Sequence, residues 1–337
     1  MGCGYVEMER HYNCRKGGLM PRVAAIFPGQ GSQSVGMGGD IARKSAQAGA
    51  LFDRASAVLG YDLLALTQDG PEEKLRETQY SQPAIFVTNL ALYEAARSFV
   101  RPVASAGHSF GELCSLTISG AISFDDALRI VSERGKAMQQ AAEMAAGAMS
   151  AVLGLEATEV REVVESIKFQ TGARLQLANF NSPAQIVISG EAGAVQQAGD
   201  AMLQAGAKRV VPLNVSGAWH SKLMEPAVPP FARAVASAHF SAPEFAVISN
   251  VDAQPYRTAD EIREKLVLSI TNEVRWHDTS EKLVACGLDL VVEFGADGRG
   301  VLTPLMKRLP GAPAVAAVSD WTSCEKLRLR LEEPARV

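Results

Sequence analysis

No apolar run in this 337-residue chain reaches the roughly 20 residues needed to cross a bilayer. Cysteine is scarce: five residues, at positions 3, 14, 114, 286 and 324, with no paired spacing. An odd, scattered set fits free thiols in a reducing compartment and excludes a disulfide framework or a zinc site. The expected location is therefore the cytoplasm, and no metal is expected. Basic charge is not in excess, because 33 Lys and Arg stand against 37 Asp and Glu, a net charge of −4. A nucleic-acid-binding surface normally needs such an excess. Residues 1–20 lack the apolar middle of a signal peptide although they carry Arg10, Arg15 and Lys16. They read as a disordered leader, with Met20 as the expected start of the folded protein. The whole chain is 47% hydrophobic and 21% charged, the balance of a globular chain with a real core. Its length suits one large domain or two modest ones.

The central motif is Gly107-His108-Ser109-Phe110-Gly111. The small, partly apolar stretch 102–106 precedes it and suits a short buried strand. The stretch 112–118 after it suits the start of a helix. Strand, tight turn and helix with Ser at the apex make a nucleophile elbow. Glycines flank the turn because a Cβ there would collide with neighbouring chain. The serine hydroxyl is pushed into the open, and the N–H of Phe110 faces a developing oxyanion. The same five-residue pattern also arises by chance in Gly-rich loops, so its context decides.

That context begins with the apolar run 22–27, a buried strand leading into Pro28-Gly29-Gln30-Gly31-Ser32-Gln33. This loop lacks the Gly-Lys-Ser/Thr of a phosphate cradle and suits a wall where backbone and an amide approach a ligand. Helical periodicity follows over 41–66 and 83–98, with breaks at Asp69-Gly70-Pro71 and Tyr80-Ser81-Gln82-Pro83. A helix is expected over 125–141, capped by Ser123 or Asp125. From about 145 the order strand 147–153, helix 157–169, hairpin 175–180 and 185–190, helix 192–205, strand 208–215 is that of a ferredoxin-like unit. Apolar strands at 245–251 and 289–295 complete an α/β pattern with a parallel sheet covered on both faces. The expected organisation is a discontinuous large domain (21–144 and 214–320), a small subdomain (145–213) and a C-terminal tail (321–337).

Ser109 needs a base, because a hydroxyl is a poor nucleophile at neutral pH. The chain has five His. His11 lies in the leader, His108 adjoins the serine and points elsewhere, and His239 ends a helical stretch. His277 precedes Asp278 at an expected helix start, where neighbours rarely hydrogen-bond in triad geometry. His220 sits in a loop between a strand end and a helix, where function tends to be placed, and is favoured. Arg134 shares a helix face with Ala127, Val131 and Met138. A guanidinium turned toward a core is costly unless an anion meets it. It is either a structural partner of an acidic side chain or a clamp for a substrate carboxylate.

Taken in order, Phe27-Pro28-Gly29-Gln30-Gly31-Ser32-Gln33, Gly107-His108-Ser109-Phe110-Gly111-Glu112, Glu133-Arg134-Gly135, Asn179-Phe180-Asn181-Ser182-Pro183, Gly217-Ala218-Trp219-His220-Ser221 and Val274-Arg275-Trp276 closely resemble the malonyl-CoA:acyl carrier protein transacylases. The resemblance spans about residues 24–307. It implies an α/β-hydrolase-like core with a ferredoxin-like insert. It implies a malonyl-serine at Ser109, His220 as general base, and backbone N–H groups of Gln30 and Phe110 as oxyanion hole. It also implies Arg134, Asn179 and Asn181 on the substrate side, and the carbonyl of Ser269 orienting the base. Malonyl-CoA and an acyl carrier protein are the implied partners, with no cofactor, and the chain is expected to act as a monomer in fatty acid biosynthesis. The alternative is a discrete acyltransferase or acyl hydrolase of a polyketide pathway. Phe110 stands where relatives usually have an aliphatic residue, and Trp219 where Phe or Ser is more usual. The segment 293–300 is two residues longer than the family's usual ending.

Overall fold

The computed structural model describes residues 21–332. The leader assigned to 1–20, with Cys3, His11 and Cys14, lies outside the described residues, as does the end of the tail, 333–337. The chain opens with β1 (Val23–Phe27), then α1 (Gly39–Lys44), α2 (Ala46–Leu59), α3 (Leu63–Asp69), α4 (Glu72–Arg76) and the long α5 (Thr78–Ala96). Next come β2 (Pro102–Gly107), α6 (Gly111–Ile118) and α7 (Phe124–Met144). A second unit follows as β3 (Gly147–Leu153), α8 (Ala157–Thr171), β4 (Leu175–Ser182), β5 (Gln185–Glu191), α9 (Ala192–Gln204) and β6 (Arg209–Pro212). After a 3-10 turn (Lys222–Ala227) come α10 (Val228–Ser237), β7 (Ala246–Ile248), α11 (Ala259–Leu268) and α12 (Trp276–Val284). β8 (Leu290–Phe294), α13 (Thr303–Met306), β9 (Ala314–Val318) and α14 (Trp321–Glu332) finish the described chain.

β7, β2, β1, β8 and β9 form, in that order, one sheet whose neighbours all run parallel. Its centre, β1, is buried at every residue. Side chains alternate along a strand, so Val23, Ala25 and Phe27 enter the cluster holding Val292 and Phe294. Ala24 and Ile26 enter the cluster on the other face, with Ala106, Ile248 and Trp276. A strand covered on both sides must be apolar throughout, which is why its pattern is continuous. Connections leave β1 and β2 at their C-terminal ends, where open α/β sheets place ligand sites.

The second sheet has the order β4-β5-β3-β6, with every pair antiparallel. With α8 and α9 it is the ferredoxin-like unit, and its own core holds Val160, Val164, Ile167, Ile186 and Ile188. Main-chain bonds tie it to the larger unit: Phe180 N–H donates to Val274 O at 2.9 Å, and Val274 N–H to Ala178 O at 2.8 Å. Among the described residues no helix is long and apolar enough to cross a membrane, and Cys114, Cys286 and Cys324 are free thiols.

Several boundaries differ from expectation. The periodic stretch 41–66 is three helices, because the Ser45 and Asp62 side chains each accept a main-chain N–H and start a new one. The break expected at 80–83 does not occur, since α5 runs through Pro83. Pro83 lies in the second turn and removes one ladder bond, while the surrounding side chains, from Ser81 to Tyr93, are all buried. The strand expected over 208–215 ends at Pro212 on the sheet edge, although Leu213 N–H still reaches Met149 O of β3 at 2.9 Å. The tail is helical over Trp321–Glu332, with Cys324 and Leu327 buried.

Candidate active site

The elbow is set by backbone. His108 N–H donates to Phe27 O at 2.9 Å, which ties the end of β2 to β1. Ser109 takes a left-handed φ of 54°, a conformation costing about 1–3 kcal/mol for a residue with a Cβ. A Cβ on Gly107 would overlap the backbone of Gly111 and Glu112, and one on Gly111 would lie 2.5 Å from Phe27 O. The strain at Ser109 is held by a side chain from the loop after β7. Asn250 Oδ1 accepts Ser109 N–H at 3.2 Å, and Asn250 Nδ2 donates to Ser109 O at 3.1 Å. Glu112 steadies Asn250 in turn, its Oε1 accepting the Asn250 N–H at 2.8 Å and the Tyr256 hydroxyl at 2.9 Å. Burial lifts the Glu112 carboxyl to about 7, and its Oε2 has no partner among the described residues.

His220 reaches Ser109 from the loop before the 3-10 turn, with Nε2 2.8 Å from Oγ. It is 3% exposed and also left-handed, at φ 56°. Its Nδ1 lies 2.9 Å from Ser269 O. A carbonyl only accepts, so Nδ1 carries the proton and Nε2 presents its lone pair to the hydroxyl. Burial, and then the charge of Arg134, push the imidazole down to about 3. At neutral pH it is an uncharged base. The other described histidines do not compete. His108 Nε2 meets Asn181 Oδ1 at 2.9 Å, His277 Nε2 lies 3.4 Å from Glu281, and His239 is exposed.

Arg134 is 2% exposed on α7. Its Nη1 donates to Gln82 Oε1 at 2.9 Å and its Nη2 to Ser109 Oγ at 3.2 Å. Of the two readings open for Arg134, the pairing with an acidic side chain is not what the structure shows: the hydrogen-bond partners are neutral. The guanidinium carbon sits 5.8 Å from the Phe110 ring centroid, so the unusual elbow residue lies against this cation. Burial lowers Arg134 to about 10, opposed by the charge of Glu112. A buried cation held by neutral groups beside a nucleophile can receive an anionic substrate group without desolvating a protein carboxylate.

The loop after β1 packs against the elbow: a Cβ on Gly29 would lie 2.7 Å from His108 O. Gln30 is anchored through Nε2 to Thr78 Oγ1 at 3.1 Å. The backbone N–H groups of Gln30 and Phe110 meet no acceptor among the described residues. Asn181 is brought to His108 rather than to Ser109 or Arg134. Asn179 forms a bridge to Val274 and is 7% exposed. Trp219, next to the base, is 5% exposed. Asn250 and Gln82 were not singled out from sequence. Asn250 had a signal, its place at the C-terminal end of an expected strand. Gln82 sat in a stretch read as a chain break.

An acyl transferase domain family model matches residues 25–297. The malonyl CoA-acyl carrier protein transacylase of Escherichia coli K12 is 41% identical over 303 residues, 89% of this chain and 97% of that protein. The solved transacylase of the same description from Coxiella burnetii superposes with a TM-score of 0.88 at 34% identity, covering 93% of this chain and 99% of that one. A malonyl-transacylase solved in complex with its type II PKS acyl-carrier protein has a TM-score of 0.86 at 41% identity, covering 90% and 98%.

Proposed function

Because the chain belongs to the malonyl CoA-acyl carrier protein transacylases, we propose that it carries malonyl from malonyl-CoA to the phosphopantetheine thiol of an acyl carrier protein, through an ester on Ser109. The observation that carries this is the meeting at one hydroxyl of a neutral imidazole, 2.8 Å away, and a buried guanidinium, 3.2 Å away.

His220 Nε2 takes the proton as Ser109 Oγ bonds to the thioester carbon. The carbonyl oxygen gains charge and is met by the N–H groups of Gln30 and Phe110, the latter at the positive end of α6. The C–S bond then breaks and CoA leaves with the proton from His220. In the second half the carrier thiol gives its proton to His220 and attacks the ester, and Ser109 Oγ takes the proton back. Arg134 holds the malonyl carboxylate throughout. Its contact with Oγ in the free site suits a three-carbon acyl group, whose far carboxylate lies a short distance from the ester oxygen. Asn181 bears on the site through His108, while Asn179 sits beside it in the bridge to Val274. The reading places the reaction in the cytoplasm, which free thiols suit, and takes the chain to act as a monomer.

The test is intact-mass measurement after incubation with malonyl-CoA, with and without a holo carrier protein. The expected result is a single malonyl adduct lost on adding the carrier and absent in Ser109→Ala. An unmodified wild-type chain would overturn the reading. Release of free malonate at the rate of transfer would instead support a hydrolase.

A further inference from the structure

His220 holds its strained backbone without a glycine's freedom, so something must hold the chain around it. Its ring is fixed by Ser269 O, but its own carbonyl is fixed by a residue of the other subdomain. Gln176 lies in β4 between Leu175 and Leu177, whose side chains enter the small core. Alternation turns Gln176 to the opposite face, toward the large domain. There its Nε2 donates to His220 O at 3.0 Å and to Thr271 O at 2.8 Å, and its Oε1 accepts Lys222 N–H at 3.1 Å. One carboxamide thus joins β4 to two loops. One carries the base and runs into the 3-10 turn at Lys222, and the other is the turn whose Ser269 carbonyl orients the base.

We propose that Gln176 is a positioning residue for the general base, by which the small subdomain sets the spacing between the His220 loop and the Ser269 carbonyl. The idea rests on the assignment of His220 as base to Ser109. Both amide hydrogens are needed, because both neighbours on that side are carbonyls that can only accept. No methyl, thioether or carboxylate of similar length can replace them. Without Gln176 the His220 carbonyl loses a partner, the left-handed backbone relaxes, and Nε2 moves off the hydroxyl.

Three full-length variants test this. Gln176→Met keeps length and volume but removes all three bonds. Gln176→Glu keeps the acceptor for Lys222 N–H and sets a carboxylate against two carbonyls. Gln176→Asn keeps the amide on a shorter stem. Three readouts are used: the downfield Nδ1–H proton resonance of His220, the rate of Ser109 phosphonylation by a fluorophosphonate, and kcat and KM for malonyl-CoA. In Gln176→Met and Gln176→Glu the resonance should shift or broaden. Phosphonylation and kcat should fall about tenfold or more, as expected when a reacting group is displaced by a fraction of an ångström. KM should stay near wild type, and Gln176→Glu should be the slower of the two. A merely structural role would lower Tm and leave the resonance and the phosphonylation rate of the folded fraction unchanged, and that result would overturn the proposal. If Gln176→Met does not fold, Gln176→Asn gives the same readouts. A wild-type protein that is phosphonylated normally but never malonylated would sink the malonyl reading alone, and the resonance and phosphonylation arms would still decide on Gln176.

Discussion

Arg134 and Glu112 are the two buried charges of the site, and each makes a prediction of its own. Among the described residues Arg134 has only neutral hydrogen-bond partners, Gln82 and Ser109. An acetyl group would leave it buried without an anion, whereas a malonyl carboxylate completes it. Removing that contact costs on the order of 1–3 kcal/mol, so Arg134→Ala should lower the ratio of malonyl to acetyl acylation by about five- to 150-fold. Parallel acylation rates with the two thioesters check this, and equal losses would refute the clamp. The same substitution removes the second cause of the low His220 value, after burial. The imidazole then protonates at higher pH, and a protonated base cannot accept the serine proton. Acetyl acylation by Arg134→Ala should therefore fail at a higher pH on the acid side than in wild type. Glu112 is raised by burial from an ordinary carboxyl to about 7. A carboxyl raised on folding favours the protonated folded state, so its stabilising effect is full below the unfolded value and is lost as pH rises to about 7. Glu112→Gln stays neutral, so its stability relative to wild type should grow between about pH 4.5 and 7 and level off above. Denaturant melts of both proteins across that window measure the difference, and a flat difference would refute it.

The elbow is the element most fully legible in sequence, because its demands are local. A sharp strand-to-helix turn leaves no room for a Cβ at its shoulders, and the structure finds backbone in both places. Gly107→Ala must push β2 away from α6 at the point where Ser109 is aimed. We expect at least a hundredfold loss of acylation in whatever fraction still folds, an effect of the size that misplaced nucleophiles show. The fold of the variant is checked by circular dichroism and its chemistry by the malonyl adduct; full labelling at the wild-type rate would contradict the steric account. The break expected at the start of α5 fails for the opposite reason. Pro83 is a strong local breaker, yet the helix is buried almost all round and tertiary packing outweighs one missing bond. β9 was not foreseen, since Ala314-Val315-Ala316-Ala317-Val318 has no alternation and its residues are largely half-buried at a sheet edge.

Across the whole molecule the two units share a seam. Val274 donates to Ala178 and accepts from Phe180, and Gln176 joins β4 to two loops of the larger unit. Ser109 and Arg134 come from the large unit, while Asn181 reaches His108 from the small one. Units joined by main-chain bonds at their common site should unfold together. Calorimetry of wild type is expected to give a single transition. Val274→Pro removes the donor to Ala178 and should lower Tm by several degrees or split the transition in two; an unchanged melt would show that the seam does not couple the sheets.

The sequence alone singled out Ser109, His220 and Arg134, because each sits in a motif whose residue types answer a chemical need, and the structure brings the three together at one hydroxyl. It also determined the order of strands and helices in the ferredoxin-like unit, because hydrophobic period and turn residues are local signals. The partners of those three residues were decided only by tertiary structure. Gln82, Asn250 and Gln176 meet Arg134, Ser109 and His220 across separations of 52, 141 and 44 residues. An amide carries no periodicity and no spacing rule, so beyond Asn250's place at a strand end nothing marks these three until folding brings a strained backbone or a buried charge within reach.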